Sequence, residues 1–281
     1  MTASGMQPFL RRFNLWVTLP SSSLLYLPRR VRAAIELPRM VAAEWTLLRR
    51  CAAVTLAASA ECDGYQVAFA GVIVRCIPNG RPALGQEREL SLADDQLIYV
   101  GNLYYSPNLE GLVWFCRQVL PRIRSRLPSA CLDVVGKMSP RAQHRLERHP
   151  GVRCLGVVED VELRVQGACV AIAPLLYGGG TSLKVVQAMA AGLPVVATST
   201  AVRGLALAPG EDVLVADDPA SFAQRVIALL ESRTLRSAVR HAGMAAAARR
   251  PSWASVGREF ASLVESVAHD AGRAHETDGR H

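Results

Sequence analysis

The chain has 281 residues, half of them apolar, with 32 basic against 24 acidic side chains and a net charge of +8. That is enough chain for one large or two modest domains with a sizeable core. Seven cysteines without C-x-x-C spacing and six scattered histidines form no metal-ligand pattern, and no run of about 18 uncharged apolar residues is present to span a membrane.

Residues 1–50 hold eight arginines against Glu36 and Glu44, interleaved with Phe9, Phe13, Trp16 and Tyr26. This composition reads first as an exposed basic helix surface or linker, with peripheral contact with an anionic membrane surface as the alternative. No nucleic-acid reader motif accompanies the charge, so nucleic acid is not expected as a partner. Pro20 breaks the apolar stretch after Arg11 and Arg12, so no cleavable signal is expected and the cytoplasm is the expected location.

Helical spacing covers residues 29–59, and residues 71–77 read as a strand closed by the turn Pro78-Asn79-Gly80. Residues 81–95 turn polar and read as a linker. An alternation then begins, with strands predicted at 97–100, 132–135, 152–155, 170–173, 194–197 and 213–216. Helices are predicted at 108–126, 140–148, 181–191, 219–231, 233–248 and 252–268. Strands alternating with helices predict an α/β fold with a doubly wound parallel sheet.

Ligands of such sheets sit beyond the carboxyl ends of the strands. Four of those ends carry glycine: Gly101-Asn102, Gly136-Lys137, Gly156-Val157-Val158, and the run Tyr177-Gly178-Gly179-Gly180-Thr181-Ser182. Glycines between a strand and a helix bring a ligand against bare backbone, and a helix start favours phosphate. Thr181 and Ser182 add hydroxyls and Lys184 a compact charge. A plain loop-to-helix turn with a good N-cap is the structural alternative. Lys137 and Lys184 are the two lysines among 32 basic residues, and both fall on this predicted edge. Neither G-x-x-x-x-G-K-[ST] nor G-x-G-x-x-G occurs, so the ordinary nucleotide-hydrolase and dehydrogenase loops are excluded.

The segment GGGTSLKVVQAMAAGLPVVAT, followed by Gly204-Leu205 and Asp217-Asp218-Pro219, resembles the donor-binding segment of retaining GT-B glycosyltransferases of family 4, or group 1. Upstream, Tyr99-Val-Gly-Asn102, Pro107-Asn108, Val134-Val-Gly136 and Leu155-Gly156 extend the resemblance over roughly residues 95–265. It implies a GT-B enzyme taking a nucleotide-diphosphate sugar as co-substrate and passing the hexosyl group to a glycan or lipid-linked acceptor. Polysaccharide or glycoconjugate assembly at the inner face of the cytoplasmic membrane is the setting it implies.

By the same resemblance, Gly101, Asn102, Gly178, Gly179, Gly180, Thr181, Ser182 and Lys184 bind the diphosphate and sugar. Gly136, Lys137, Gly156, Val157, Val158 and Gln187 bind the nucleoside. No metal is required in this class, and Asp94-Asp95 and Asp217-Asp218 are adjacent pairs with no DxD order. Gln187 departs from the family pattern, which has there a glutamate accepting from the donor ribose. Upstream of residue 81 the resemblance implies a helix, a strand, a helix and a strand ending in Ile77-Pro-Asn-Gly80, the last part of an acceptor-binding domain whose earlier elements are missing.

The expected organisation is residues 1–80 as a partial acceptor-side domain, 81–95 as linker, 96–268 as donor domain and 269–281 as a disordered polar tail. A non-catalytic or split-enzyme binding module, completed by a partner chain, is the alternative. No catalytic base can be nominated.

Overall fold

A computed structural model describes residues 29–69, 71–84, 95–178 and 181–278. The chain divides into two compact units, one of residues 1–78 with 257–281, the other of residues 79–256. These cuts differ from boundaries drawn at 80, 95 and 268.

In the first unit, α1 (Arg29–Leu48) leads to β1 (Ala53–Leu56), α2 (Ser59–Ala68) and β2 (Ile73–Cys76). β1 and β2 pair in parallel, Ala53 opposite Ile73 through Leu56 opposite Cys76. Leu48, Tyr65, Phe69 and Val72 form its buried core, with Trp45 tilted against Phe69 at a centroid distance of 4.8 Å. The single helical stretch expected over residues 29–59 is therefore wrong. Val54 and Thr55 are β-branched, Val54 and Leu56 are half-buried, and pairing with β2 overrides the helical spacing. The helix, strand, helix, strand order implied by the family resemblance is the one found.

The second unit carries β3 (Gln96–Val100), β4 (Cys131–Val135), β5 (Val152–Gly156), β6 (Val170–Ala173), β7 (Val195–Ala197) and β8 (Leu214–Val215). All six pair in parallel in the order β5-β4-β3-β6-β7-β8. Its helices are α3 (Ser106–Trp114), α4 (Leu120–Arg126), α5 (Pro140–Glu147), α6 (Val161–Gln166), α7 (Leu183–Ala190), α8 (Ser199–Val202), α9 (Pro219–Glu231) and α10 (Arg233–Ala248).

Alternation along the strands splits the core between the two sheet faces. Leu97, Tyr99, Leu132, Val134, Val170, Ile172 and Val196 pack with Leu112, Phe115 and Phe222 on one face. Ile98, Val135, Ala171, Ala173, Val195 and Ala197 pack with Val185, Val186, Met189 and Ala246 on the other. Small alanines at 171 and 173 let α7 lie close to the sheet.

The helix expected over 108–126 is interrupted by a π turn at Phe115–Val119, just before Leu120-Pro121. Proline has no N–H to donate and its ring crowds the preceding turn, which a widened turn accommodates. α11 (Trp253–Asp278) starts in the second unit and continues through the first unit's residues. The expected disordered tail at 269–281 is thus helical as far as Asp278.

Residues 81–84, assigned above to a linker, belong to the second unit: the Arg81 amide donates to Pro251 O at 2.8 Å. The basic segment of residues 1–28 and linker residues 85–94 lie outside the described residues.

Candidate functional site

Between β3 and β6 the strand order reverses direction, and chain leaving the two carboxyl ends diverges into a crevice. A cavity of ≈ 350 Å³ lies there, lined by Gly101, Asn102, Tyr105 and Asn108 from the β3 side. Tyr177, Gly178, Thr181, Ser182, Lys184, Gln187 and Thr200 line it from the other. Of the predicted site residues it gathers Gly101, Asn102, Gly178, Thr181, Ser182, Lys184 and Gln187.

Two close approaches set the walls. A Cβ on Gly111 of α3 would stand 1.9 Å from Pro174 O, so only glycine lets α3 reach the end of β6. Gly136, at φ +132°, packs its Cα against the Gly101 carbonyl, where a Cβ would fall at 2.0 Å. The turn after β6 is held by Thr198, whose hydroxyl donates to Leu175 O at 2.5 Å.

Lys184 is the charged centre of the crevice. It lies in the first turn of α7, half-buried, and its ammonium donates to Asn108 Oδ1 at 2.5 Å and Tyr99 Oη at 3.3 Å, with Nζ 5.3 Å from the Tyr99 ring centre. Burial without a carboxylate partner lowers its pKa from near 10.5 to about 8. Burial likewise holds the Tyr99 hydroxyl far above the usual phenol range, so it stays protonated.

Asn108 is itself buried and donates Nδ2 to Asn102 O at 2.8 Å. Its amide is fixed between a cation that needs an acceptor and a carbonyl that needs a donor. Asn102 Oδ1 in turn accepts from the Tyr104 amide at 3.0 Å.

At the start of α7 the amides of Leu183 and Val185 donate to Thr181 O and Ser182 O, both at 3.1 Å. These tight turns engage two of the amides at the helix start within the fold itself. Ser182 Oγ is buried with no hydrogen-bond partner, an orphan hydroxyl in the crevice wall. Thr181 Oγ1 accepts from Asn79 Nδ2 at 2.7 Å.

The remaining predicted residues lie further along the sheet edge. Gly136 hydrogen-bonds Gly156 O at 2.7 Å, Lys137 is exposed with its carbonyl accepting from Leu103, and Gly156 turns at φ +67°. Val157 is 70% exposed and Val158 half-buried. Gly179 and Gly180 lie outside the described residues.

A second cavity of ≈ 370 Å³, apolar, lies between the sheet, α6 and α7, and shares Val100, Lys184 and Gln187 with the first. Asp217 and Asp218 are taken by the fold. Asp217 accepts from the Ser199 amide and hydroxyl, and Asp218 caps α9 through the Ala220 and Ser221 amides.

The reading of the sequence singles out neither Asn79 nor Asn108 as a site residue. For Asn108 the available signal is an amide on a helix face otherwise filled by Leu112 and Phe115. For Asn79 there is no local signal, because its partner lies 102 residues away.

An all-parallel six-stranded sheet with a cationic, hydroxyl-lined crevice at its switch point is the doubly wound arrangement in which nucleotides bind, and GT-B proteins are among those built on it. A family model described as glycosyl transferases group 1 matches residues 94–232, so that segment is similar to the group 1 glycosyltransferases.

An uncharacterized 44.6 kDa protein in the cps region of Klebsiella pneumoniae is 27% identical over 147 residues, 50% of this chain and 38% of that one. A phosphatidyl-myo-inositol mannosyltransferase of Mycobacterium tuberculosis is 35% identical over 161 residues, 53% of this chain and 42% of that one. The chain therefore spans about two fifths of the length of these relatives. Among solved structures, a Staphylococcus aureus TarM variant in complex with fondaparinux, alpha-GlcNAc-glycerol and UDP superposes with a TM-score of 0.66 at 11% identity. That superposition covers 78% of this chain and 46% of TarM. Among the described residues, no helix is long and apolar enough to cross a membrane.

Proposed function

We propose that residues 79–256 bind a nucleotide-diphosphate sugar and that the protein acts in retaining hexosyl transfer to a glycan or lipid-linked acceptor. The observation that carries this reading is Lys184, a half-buried ammonium held by neutral groups at the switch-point crevice, beside the orphan Ser182 hydroxyl. An ammonium without a carboxylate partner awaits an anion, and two hydroxyls with one compact cation match a diphosphate. The UDP in the TarM complex supports the same class of ligand.

Retaining transfer passes through an oxocarbenium-like transition state, in which negative charge gathers on the departing nucleoside diphosphate. Lys184, Ser182 and Thr181 would stabilise that charge at its origin, where it is worth most to the rate. No metal is assigned a part, since Asp217 and Asp218 are engaged in fixing α8 and α9. Gly136, Lys137, Gly156, Val157 and Val158, along the edge from the crevice, would meet the nucleoside with Gln187.

Acceptor groups are expected outside residues 79–256, on other parts of the protein or on a partner chain. Polysaccharide or glycoconjugate assembly at the cytoplasmic membrane face, with the basic residues 1–50 on the lipid, is the setting we favour.

The test is ligand-induced thermal stabilisation by UDP, GDP, ADP and TDP. A ligand at 100 times its dissociation constant stabilises by about 2.7 kcal/mol. A shift with one nucleotide, lost in Lys184→Ala, is expected. A folded protein that none of the four stabilises would overturn the reading.

A further inference from the structure

We propose that Asn79 is a positioning residue of this crevice, fixing the Thr181 hydroxyl so that its proton is donated to a bound phosphate oxygen. The inference rests on the diphosphate reading above. Asn79 Nδ2 donates to Thr181 Oγ1 at 2.7 Å, across 102 residues of sequence. A hydroxyl has one proton and two lone pairs. With a lone pair taken by the amide, the proton turns away from Asn79, and Thr181 lines the crevice. An acceptor oxygen bound beside Lys184 and Ser182 would then meet a donor already oriented.

Asn79 is itself held firmly. The next residue, Gly80, is buried, and a Cβ there would stand 2.7 Å from the backbone of Trp253 at the start of α11. Arg81 then bonds Pro251 O at 2.8 Å and bridges Ser252. The backbone on the C-terminal side of Asn79 is thus clamped to the α10–α11 corner within the second unit, and the amide reaches Thr181 from a fixed base. The Pro-Asn-Gly turn, placed by sequence at the end of the acceptor-side part, contributes from residue 79 onward to the donor unit.

The experiment is calorimetric binding of the four nucleoside diphosphates, and the matching monophosphates, to the full chain and to Asn79→Ala, Asn79→Asp, Thr181→Val and the Asn79→Ala/Thr181→Val double variant. For whichever nucleotide binds, Asn79→Ala is expected to weaken the diphosphate about fivefold. It should also lower the ratio of diphosphate to monophosphate affinity, which general loss of stability would not move.

Asn79→Asp, nearly the same shape but an acceptor only, should weaken it more, because the carboxylate draws the Thr181 proton to itself. In the Thr181→Val background the Asn79→Ala change should cost nothing further. Wild-type affinity in both Asn79 variants, or an undiminished loss in the double variant, would overturn the inference while leaving the diphosphate reading in place. A wild-type chain that is folded and binds none of the four would overturn both.

Discussion

Lys184 Nζ stands 2.5 Å from Asn108 Oδ1, so the ammonium on α7 is held by a neutral amide on α3. A carboxylate at the same place would hold the lysine more tightly and compete with any anionic ligand. Asn108→Asp is therefore expected to keep the lysine charged while weakening nucleoside diphosphate binding at pH 7 by tenfold or more, about 1.4 kcal/mol. Titration calorimetry checks it, and unchanged affinity would show that the ligand's charge is not read by Lys184.

The same burial gives a pH dependence with a definite sign. The Lys184 pKa is lowered to about 8 by desolvation, and a bound anion would raise it again. Nucleotide affinity should be level below about pH 8 and fall above it, approaching tenfold per pH unit as the free site loses its proton. Lys184→Arg, which does not titrate in this range, should bind without that fall.

In the ligand-free protein the linkage runs the other way. The unfolded chain keeps its lysine proton up to about pH 10.5, so from pH 8 to that value it binds more protons than the folded one. Wild-type stability should then rise relative to Lys184→Met over this window. Parallel stability curves for the two proteins would contradict the assignment.

Where sequence and structure agree, the cause is local periodicity. Val170-Ala-Ile-Ala173 and Val195-Val-Ala197 are continuous apolar runs because parallel strands covered on both faces need them. Lys184 is legible for a different reason, as one of two lysines beside a glycine turn. β1 escapes because its half-buried pattern is short, and its strand character comes from β2, about 20 residues away. The amide bonds of Asn79 and Asn108 escape because they join residues 102 and 76 positions apart. Charge and glycine leave a mark in sequence, whereas hydrogen bonds across the fold leave none.

Glycine also supplies a test of the crevice walls. An alanine at Gly111 would put its methyl 1.9 Å from Pro174 O, and one at Gly136 would put it 2.0 Å from Gly101 O at a φ of +132°. Each should cost about 3 kcal/mol or more, through overpacking at the first and backbone strain added at the second. For a unit of this size that is a fall of roughly 6–12 °C in Tm. Gly64 of α2 has open space where a methyl would stand, with nothing within 4 Å, and Gly64→Ala should instead stabilise by up to about 1 kcal/mol. Thermal unfolding of the three variants separates packing from propensity, and equal behaviour would contradict these close approaches.

Gln187 offers a gain of function. It is exposed on α7 and lines the crevice, in the position where the family pattern has a glutamate accepting from ribose hydroxyls. A carboxylate accepts such bonds roughly twice as strongly as an amide, so Gln187→Glu should tighten a nucleoside diphosphate about fivefold, or about 1 kcal/mol. The added charge also repels the diphosphate, and this cost falls on every anion bound at Lys184. Pyrophosphate, which has no ribose, should therefore bind the variant no better than the wild type, and a 2′-deoxy nucleotide should gain less than its ribose counterpart. Equal weakening of all three ligands would mean that residue 187 meets the phosphates instead of the ribose, and the nucleoside would have to lie elsewhere along the sheet edge.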